Sequence, residues 1–140
     1  MYLLDTDIVS ELRRPRRDDI VVAWIEPITP NDLFISTVTA FEIEFGIEQQ
    51  RRDDPPFARD LEAWLDMTLR LYGDRILPLT VSIARRWGRL AVLIGNKNLD
   101  GAIAATALEH GLTVVTRNVS HYERTGVSIV NPFEARPRRR

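Results

Sequence analysis

Carboxylates recur in this chain just past its apolar runs, and their placement poses a chemical question. Asp5 and Asp7 follow Tyr2-Leu3-Leu4. Glu42 lies a few residues past Leu33-Phe34-Ile35, and Asp100 precedes the small-residue stretch Gly101-Ala102-Ile103-Ala104-Ala105-Thr106-Ala107. Brought to one place, such acids repel one another and resist ionisation unless a cation sits among them. With no cysteine and only two histidines in the chain, the ligands on offer are hard oxygens, which favour Mg2+ or Mn2+ over zinc. Magnesium held by a few carboxylates keeps several waters and takes substrate phosphate as a further ligand. The matching chemistry is attack of water on a phosphodiester.

Each acid also has a plainer explanation. Asp5 can be the N-cap of a helix beginning near Asp7, although capping accounts for one of these two acids and hardly for both. Glu42 shares its segment with Glu44 and Glu48. A Glu48–Arg52 pair at i,i+4 marks the wet face, and Glu44 lies one turn below it. At about 100° per residue, position 42 is about 200° away from 44, on the stripe of Val38 and Gly46 that faces the protein. There a capping box with Thr39 as N-cap competes with a ligand role, and Gly46 leaves space beside the carboxylate. Asp100, in the first turn of a helix, gains roughly 0.3–1 kcal/mol from the helix dipole alone.

The elements that must position these groups alternate. Tyr2-Leu3-Leu4, Leu33-Phe34-Ile35, Ile76-Leu77-Pro78-Leu79, Thr113-Val114-Val115 and Ser128-Ile129-Val130 read as short buried strands. Between them lie helix-length segments at roughly 19–27, 37–52, 57–73, 80–95 and 99–110, punctuated by Pro15, Pro27, Pro30, Pro55-Pro56 and Gly111. This alternation predicts a three-layer α/β/α fold, a central parallel sheet of four to five strands with helices on both faces. In such sheets ligands bind beyond the carboxyl ends of the strands. That rim would carry Asp5, Thr6 and Asp7, then Ser36, Thr37 and Thr39, then Thr80 and Ser82, then Thr116, Arg117 and Asn118. The excursion from about 37 to 75 forms a helical hairpin whose Phe41, Phe45, Phe57, Trp64 and Leu65 offer apolar surface to a partner or to the core.

Composition sets the class. The 140 residues, 44% hydrophobic and 28% charged, suit one globular domain, read as 1–135, followed by a basic tail at 136–140. Without cysteine there is no disulfide framework, thiolate zinc site or cysteine nucleophile. The start Met1-Tyr2-Leu3-Leu4-Asp5 has neither the basic residues nor the apolar run of a signal peptide, and no stretch reaches the roughly 18–20 apolar residues of a membrane helix. The expectation is a cytoplasmic protein with no membrane contact. Net charge is −1, and Lys97 is the only lysine among 19 basic residues. Binding of a polyanion must therefore come from arginines and a metal.

Several of these segments, taken together, resemble one family. Met1-Tyr2-Leu3-Leu4-Asp5-Thr6-Asp7-Ile8-Val9-Ser10-Glu11-Leu12 resembles the opening of PIN-domain proteins, in particular the VapC/FitB-like toxins of type II toxin–antitoxin pairs. Ser36-Thr37-Val38-Thr39-Ala40-Phe41-Glu42-Ile43-Glu44-Phe45-Gly46-Ile47 is similar to their second motif. Asp100-Gly101-Ala102-Ile103-Ala104-Ala105-Thr106-Ala107 and His110-Gly111-Leu112-Thr113-Val114-Val115-Thr116-Arg117-Asn118 are similar to the third and fourth. Asn131-Pro132-Phe133 resembles the usual ending. The resemblance spans the chain in order. It implies a PIN fold and a Mg2+- or Mn2+-dependent endoribonuclease that arrests growth by cutting RNA. It also implies neutralisation by a cognate VapB/FitA-like antitoxin, operator-DNA binding only through that antitoxin, and a homodimer. By motif position Asp5, Glu42 and Asp100 are the catalytic, metal-binding acids. Thr6, Asp7, Thr116, Asn118 and His121 support them at the rim, and Arg117 is a candidate nucleic-acid contact.

The chain departs from the family twice. Family members commonly carry Asn where Asp7 stands, which adds a charge beside Asp5. Where many carry a fourth Asp, this chain has Ser120-His121-Tyr122. His121 is no hard Mg2+ ligand; a contact to substrate phosphate, a proton transfer and a partly exposed helix-end histidine are the open readings. Two rival functions use the same residues. Asp5-Thr6-Asp7-Ile8-Val9 after a strand also fits the nucleophile motif of haloacid-dehalogenase-like phosphatases, and a receiver-type phosphoacceptor domain is related to it. Both need a lysine past a later strand, and Lys97 falls in a loop between helices. A catalytically silent PIN module that acts by binding alone is the other.

Overall fold

A computed structural model describes residues 1–134; the basic tail at 136–140 and the expected domain end at 135 lie outside the described residues. Strands β1 (Tyr2–Leu4), β2 (Leu33–Ser36), β3 (Ile76–Leu77), β4 (Thr113–Val115) and β5 (Ile129–Val130) form one parallel sheet in the order β3-β2-β1-β4-β5. The chain builds outward from β1 through β2 to β3, then crosses back to lay β4 on the other side of β1. The direction of winding therefore reverses at β1, where Leu4 pairs with Val115. A reversal of this kind opens a crevice at the strand ends.

Helices α1 (Thr6–Arg13), α2 (Asp19–Ile25), α3 (Thr37–Asp53), α4 (Pro55–Tyr72), α5 (Val81–Ile94) and α6 (Leu99–His110) cover the sheet. Successive strand residues point to opposite faces. Leu3 and Val114 join a core with Ile83 and Leu90 of α5 and Ala102, Ile103 and Ala107 of α6. Their neighbours Leu4 and Val115 join a second core with Ile8 and Val9 of α1, against which Trp24 of α2 and Trp64 of α4 pack. A strand buried on both faces cannot alternate polar with apolar residues, which is why these runs are continuously hydrophobic. The expected three-layer α/β/α architecture is the one observed. Helices α3 and α4 form the hairpin, joined by their own small core of Ile47, Ala58 and Leu65. Phe41 and Phe45 stand outside it, 58% and 57% exposed, with ring centroids 6.2 Å apart.

The boundaries differ from expectation where side chains decide them. β3 stops at Leu77, ahead of Pro78, which lacks the N–H a ladder needs. α4 begins at Pro55 rather than 57, because Asp54 caps it by accepting from Phe57 N–H and proline suits the first helical position. α3 is capped by Ser36, whose hydroxyl accepts from Val38 N–H at 3.0 Å, and not by Thr39. Ser36 still has the extended backbone of β2, whereas Thr39 is already inside the helix and fully buried. Glu48 pairs with Arg51 rather than Arg52, since Arg51 also reaches Glu62 of α4 at 2.8 Å and ties the hairpin together.

Candidate functional site

Parallel pairing puts the ends of β1 and β4 side by side, and the polar residues there follow directly. Asp5 N–H donates to Val115 O at 2.9 Å, which extends the ladder one residue past β1. The Asp5 side chain then caps α1: Oδ1 accepts from Thr6 N–H at 2.8 Å, while Oδ2 accepts from the Thr116 hydroxyl at 2.8 Å. Thr116 in turn accepts from Asn118 N–H at 3.0 Å, so Asn118 supports the rim through its backbone. Cap and site residue are thus one and the same carboxylate. Asp5 is 4% exposed.

Thr6 bridges to the next element. Its hydroxyl donates to Glu42 Oε1 at 2.8 Å and lies 3.1 Å from that of Thr39. Glu42 stands two turns into α3, beyond the reach of a capping box with Ser36, and it faces α1 as its stripe predicts. Glu44 and Glu48 face solvent. Nothing lies within 4 Å of the space a Cβ on Gly46 would occupy. Glu42 and Gly46 line a groove of about 260 Å³ that continues to Arg13, Phe57 and Trp64.

Asp100 arrives from the far side on the first turn of α6. Asn98 caps that helix by accepting from Gly101 N–H, and the small buried residues behind it let the helix sit close to the sheet. Asp100 Oδ2 lies 2.7 Å from His121 Nδ1, and Oδ1 accepts from the Tyr122 hydroxyl at 3.4 Å. His121 is therefore a half-exposed partner of Asp100, placed on a 3-10 turn over Val119–His121. Asp7 Oδ2 accepts from Arg117 N–H at 2.9 Å. Asp7 Oδ1 is the one buried side-chain oxygen or nitrogen among the described residues that has no hydrogen-bond partner. The Arg117 guanidinium stacks on the Phe133 ring at 4.4 Å from its centroid.

Electrostatics marks this as one cluster. Burial pushes the Asp5 carboxyl upward against the hydrogen bonds from Thr116 and Thr6, and Asp100 adds repulsion. Burial also raises Glu42, with Asp5 and Asp100 contributing, and it raises Asp7 to about 6, helped by the charge of Asp5. Tyr122 is fully buried, and burial first, then the charges of Asp5 and Asp100, hold its phenol well above the ordinary value, so it is an O–H donor. Tyr122 is absent from the residues singled out in the sequence. A tyrosine beside apolar neighbours reads as core, and nothing local reveals what its hydroxyl meets.

Other expected rim residues serve elsewhere. Thr80 caps α5, Ser82 donates to Glu109 at 2.6 Å, and Thr37 accepts from Leu79 N–H. Asp5, Glu42 and Asp100 are brought to one rim but do not close into a ready cage. Among the described residues no three acidic or histidine side chains are arranged to hold a metal ion together. Each carboxylate is instead held by a neighbouring group: Glu42 by the Thr6 hydroxyl, Asp5 by the Thr6 N–H and the Thr116 hydroxyl, and Asp100 by His121.

The comparisons with known proteins bear on what this rim is. Residues 2–126 match the PIN domain family. The chain belongs to the PIN-domain family. Over 96% of its length this PIN domain is 34% identical to the VapC ribonuclease Y4jK of Sinorhizobium fredii, covering 99% of that protein. It is 31% identical to the toxin FitB of Neisseria gonorrhoeae over 95% of its own length and 99% of FitB. The crystal structure of FitAcB from Neisseria gonorrhoeae superposes with a TM-score of 0.85 at 32% identity, covering 96% of this chain and all of that one. FitAB bound to an IR36 DNA fragment superposes equally well, at 30% identity.

Proposed function

We propose that this PIN domain is the ribonuclease toxin of a type II toxin–antitoxin pair, an endoribonuclease that requires Mg2+ or Mn2+ and is held silent by a small antitoxin. The observation that carries the reading is the acidic rim at the β1–β4 switch point, where burial pushes Asp5, Asp7 and Glu42 toward protonation beside Asp100, a crowding of carboxylates that a cation would relieve. The donor set suits a hard divalent ion. The side chains around Asp5 and Glu42 are carboxylates and hydroxyls, with the His121 imidazole only on the solvent side of Asp100, and Asp7 Oδ1 is buried without a partner. Magnesium commonly uses one or two carboxylates and fills its shell with water, so a cage of three acids is not required. Asp5 and Asp100 would hold the ion, with Glu42 beyond Thr6. Bound there, it supplies neutralisation of phosphate charge and a nucleophilic water near neutral pH.

The chain's own residues do the rest. Thr116 and the Thr6 N–H fix both Asp5 oxygens in place, and His121 with Tyr122 fixes those of Asp100, so the reacting groups are oriented before RNA arrives. Arg117, braced on Phe133, stands at the rim as a cation for the RNA backbone. The exposed Phe41 and Phe45 are apolar surface suited to the antitoxin or to a second copy in a homodimer. Operator DNA is reached only through the antitoxin, and no described helix is long and apolar enough to cross a membrane. A phosphatase using Asp5 as nucleophile fits poorly, because its chemistry needs a lysine at the site and Lys97, the only lysine, is exposed in the loop between α5 and α6.

The test is RNA cleavage and growth arrest by purified and expressed variants. Asp5→Ala and Asp100→Ala are expected to lose both while keeping the native circular dichroism spectrum. Cleavage by Asp5→Ala at the wild-type rate would overturn the assignment. Wild-type protein that binds RNA without cutting it under any divalent ion would favour the silent module.

A further inference from the structure

Tyr122 has its backbone fixed on both sides. Its N–H donates to Val119 O at 3.0 Å, and its carbonyl accepts from the Thr125 N–H at 3.0 Å and hydroxyl at 2.6 Å. Its ring is fully buried in the core of Leu3, Ile103 and Val114. The hydroxyl therefore has no freedom to choose its surroundings. A buried phenol must find an acceptor, and the acceptor it meets is Asp100 Oδ1 of α6, at 3.4 Å, with the charge of Asp5 at the end of β1 close by. A neutral donor on Asp100 offsets part of its repulsion with Asp5 and sets how Asp100 faces.

We propose that Tyr122 is a positioning residue of this site: its buried phenol, donating to Asp100 from the core, holds that carboxylate in the orientation in which it accepts a divalent cation together with Asp5. The proposal rests on the metal-dependent reading above. His121 holds the other oxygen of Asp100 from the solvent side, so Tyr122 is the contact that holds Asp100 from the protein interior. Groups hydrogen-bonded to metal ligands commonly tune affinity by about 10–100-fold.

The test uses the full chain stripped of metal, with Mn2+ or Mg2+ as probe and Tyr122→Phe as the variant, which keeps the ring in the core. Calorimetry with Mn2+ is expected to show Kd raised about tenfold in Tyr122→Phe. The Mn2+ concentration for half-maximal RNA cleavage should rise by a similar factor, with the rate at saturating Mn2+ close to wild type. A merely structural role would lower that rate and the melting temperature in chelator instead. Adding Mg2+ to wild type should also perturb the tyrosine ultraviolet absorption, a signal absent from Tyr122→Phe. A variant Kd within about twofold of wild type overturns the proposal. If the variant does not fold, a wild-type tyrosine spectrum unmoved by saturating Mg2+ overturns it equally. Wild type that binds neither ion removes the metal-dependent reading itself, and this inference with it, an outcome distinct from equal binding by both proteins.

Discussion

Asp7 shows what the acidic rim costs a single residue. One oxygen accepts from Arg117 N–H, the other is buried with no partner, and burial with the nearby charge of Asp5 raises the carboxyl to about 6. Asp7 thus holds its proton more tightly in the folded chain than in the unfolded one. Its contribution to stability is complete below the unfolded value of about 4 and is lost as pH rises toward 6. At full effect that loss is about 2–3 kcal/mol, and partial solvent screening reduces it to about 1–2 kcal/mol at pH 7. Asp7→Asn keeps a carbonyl for the Arg117 N–H and removes the charge. In chelator at pH 7 it should melt roughly 4–8 °C above wild type, with the gap closing by about pH 4. A gap of the same size at both pH values would show that charge is not its cause. At this scale the sequence exposes the acids well, because Asp5, Glu42 and Asp100 each follow a strand or open a helix in recognisable order. It hides their partners. That Asp5 accepts from Thr116, that His121 lies on Asp100, and that Tyr122 reaches Asp100 all depend on contacts between residues distant in the chain.

At the scale of elements, Asp100 is placed by how closely α6 approaches α5. Gly101, fully inside that contact, has no room for a side chain: a Cβ there would stand 2.9 Å from both Cδ1 and Nε1 of Trp87. The indole is itself anchored, its Nε1–H donating to Asn98 O at 3.2 Å, so the clash meets a rigid ring and not a flexible tip. Gly101→Ala gains up to about 1 kcal/mol of helix propensity. It is expected to lose more by overpacking, typically about 1–3 kcal/mol, and so to destabilise overall. Because the same turn carries Asp100, RNA cleavage should fall with it, and the Trp87 fluorescence should shift. Cutting the ring away in Gly101→Ala, Trp87→Leu should restore the activity lost at Gly101; if the double variant is as inactive as the single one, the contact is not what places Asp100. The small-residue run after Asp100 announces close packing, and the continuous apolar runs announce strands buried on both faces. What the pattern cannot supply are the ends. β3 is cut short by Pro78, and α3 starts at Ser36 because β2 delivers that residue in extended form. The choice of Arg51 over Arg52 depends on Glu62, a residue of the opposing helix.

Taken as a whole molecule, the PIN domain places buried acids at the winding reversal of a nearly neutral chain, net charge −1, and under the proposed metal-dependent function this would couple its stability to a bound divalent ion. Asp5, Asp7 and Glu42 are all raised by burial first, so ionising them in the metal-free protein works against the fold. With chelator present, stability must therefore fall as pH rises from about 4 to about 6. A divalent ion reverses the sign. It binds only the ionised carboxylates, so its affinity grows over the same interval. Binding to the folded state adds about 2.7 kcal/mol when free ion is one hundred times Kd. Two melting curves against pH, one in chelator and one in saturating Mn2+, should consequently slope in opposite directions and diverge most above pH 6. Asp100→Asn should abolish the upward branch and leave the downward one, since Asp5, Asp7 and Glu42 remain. Wild-type curves that fall in parallel under both conditions would mean that the acids carry their burial penalty without any ion to relieve it, and the metal site would have to be sought elsewhere on the chain.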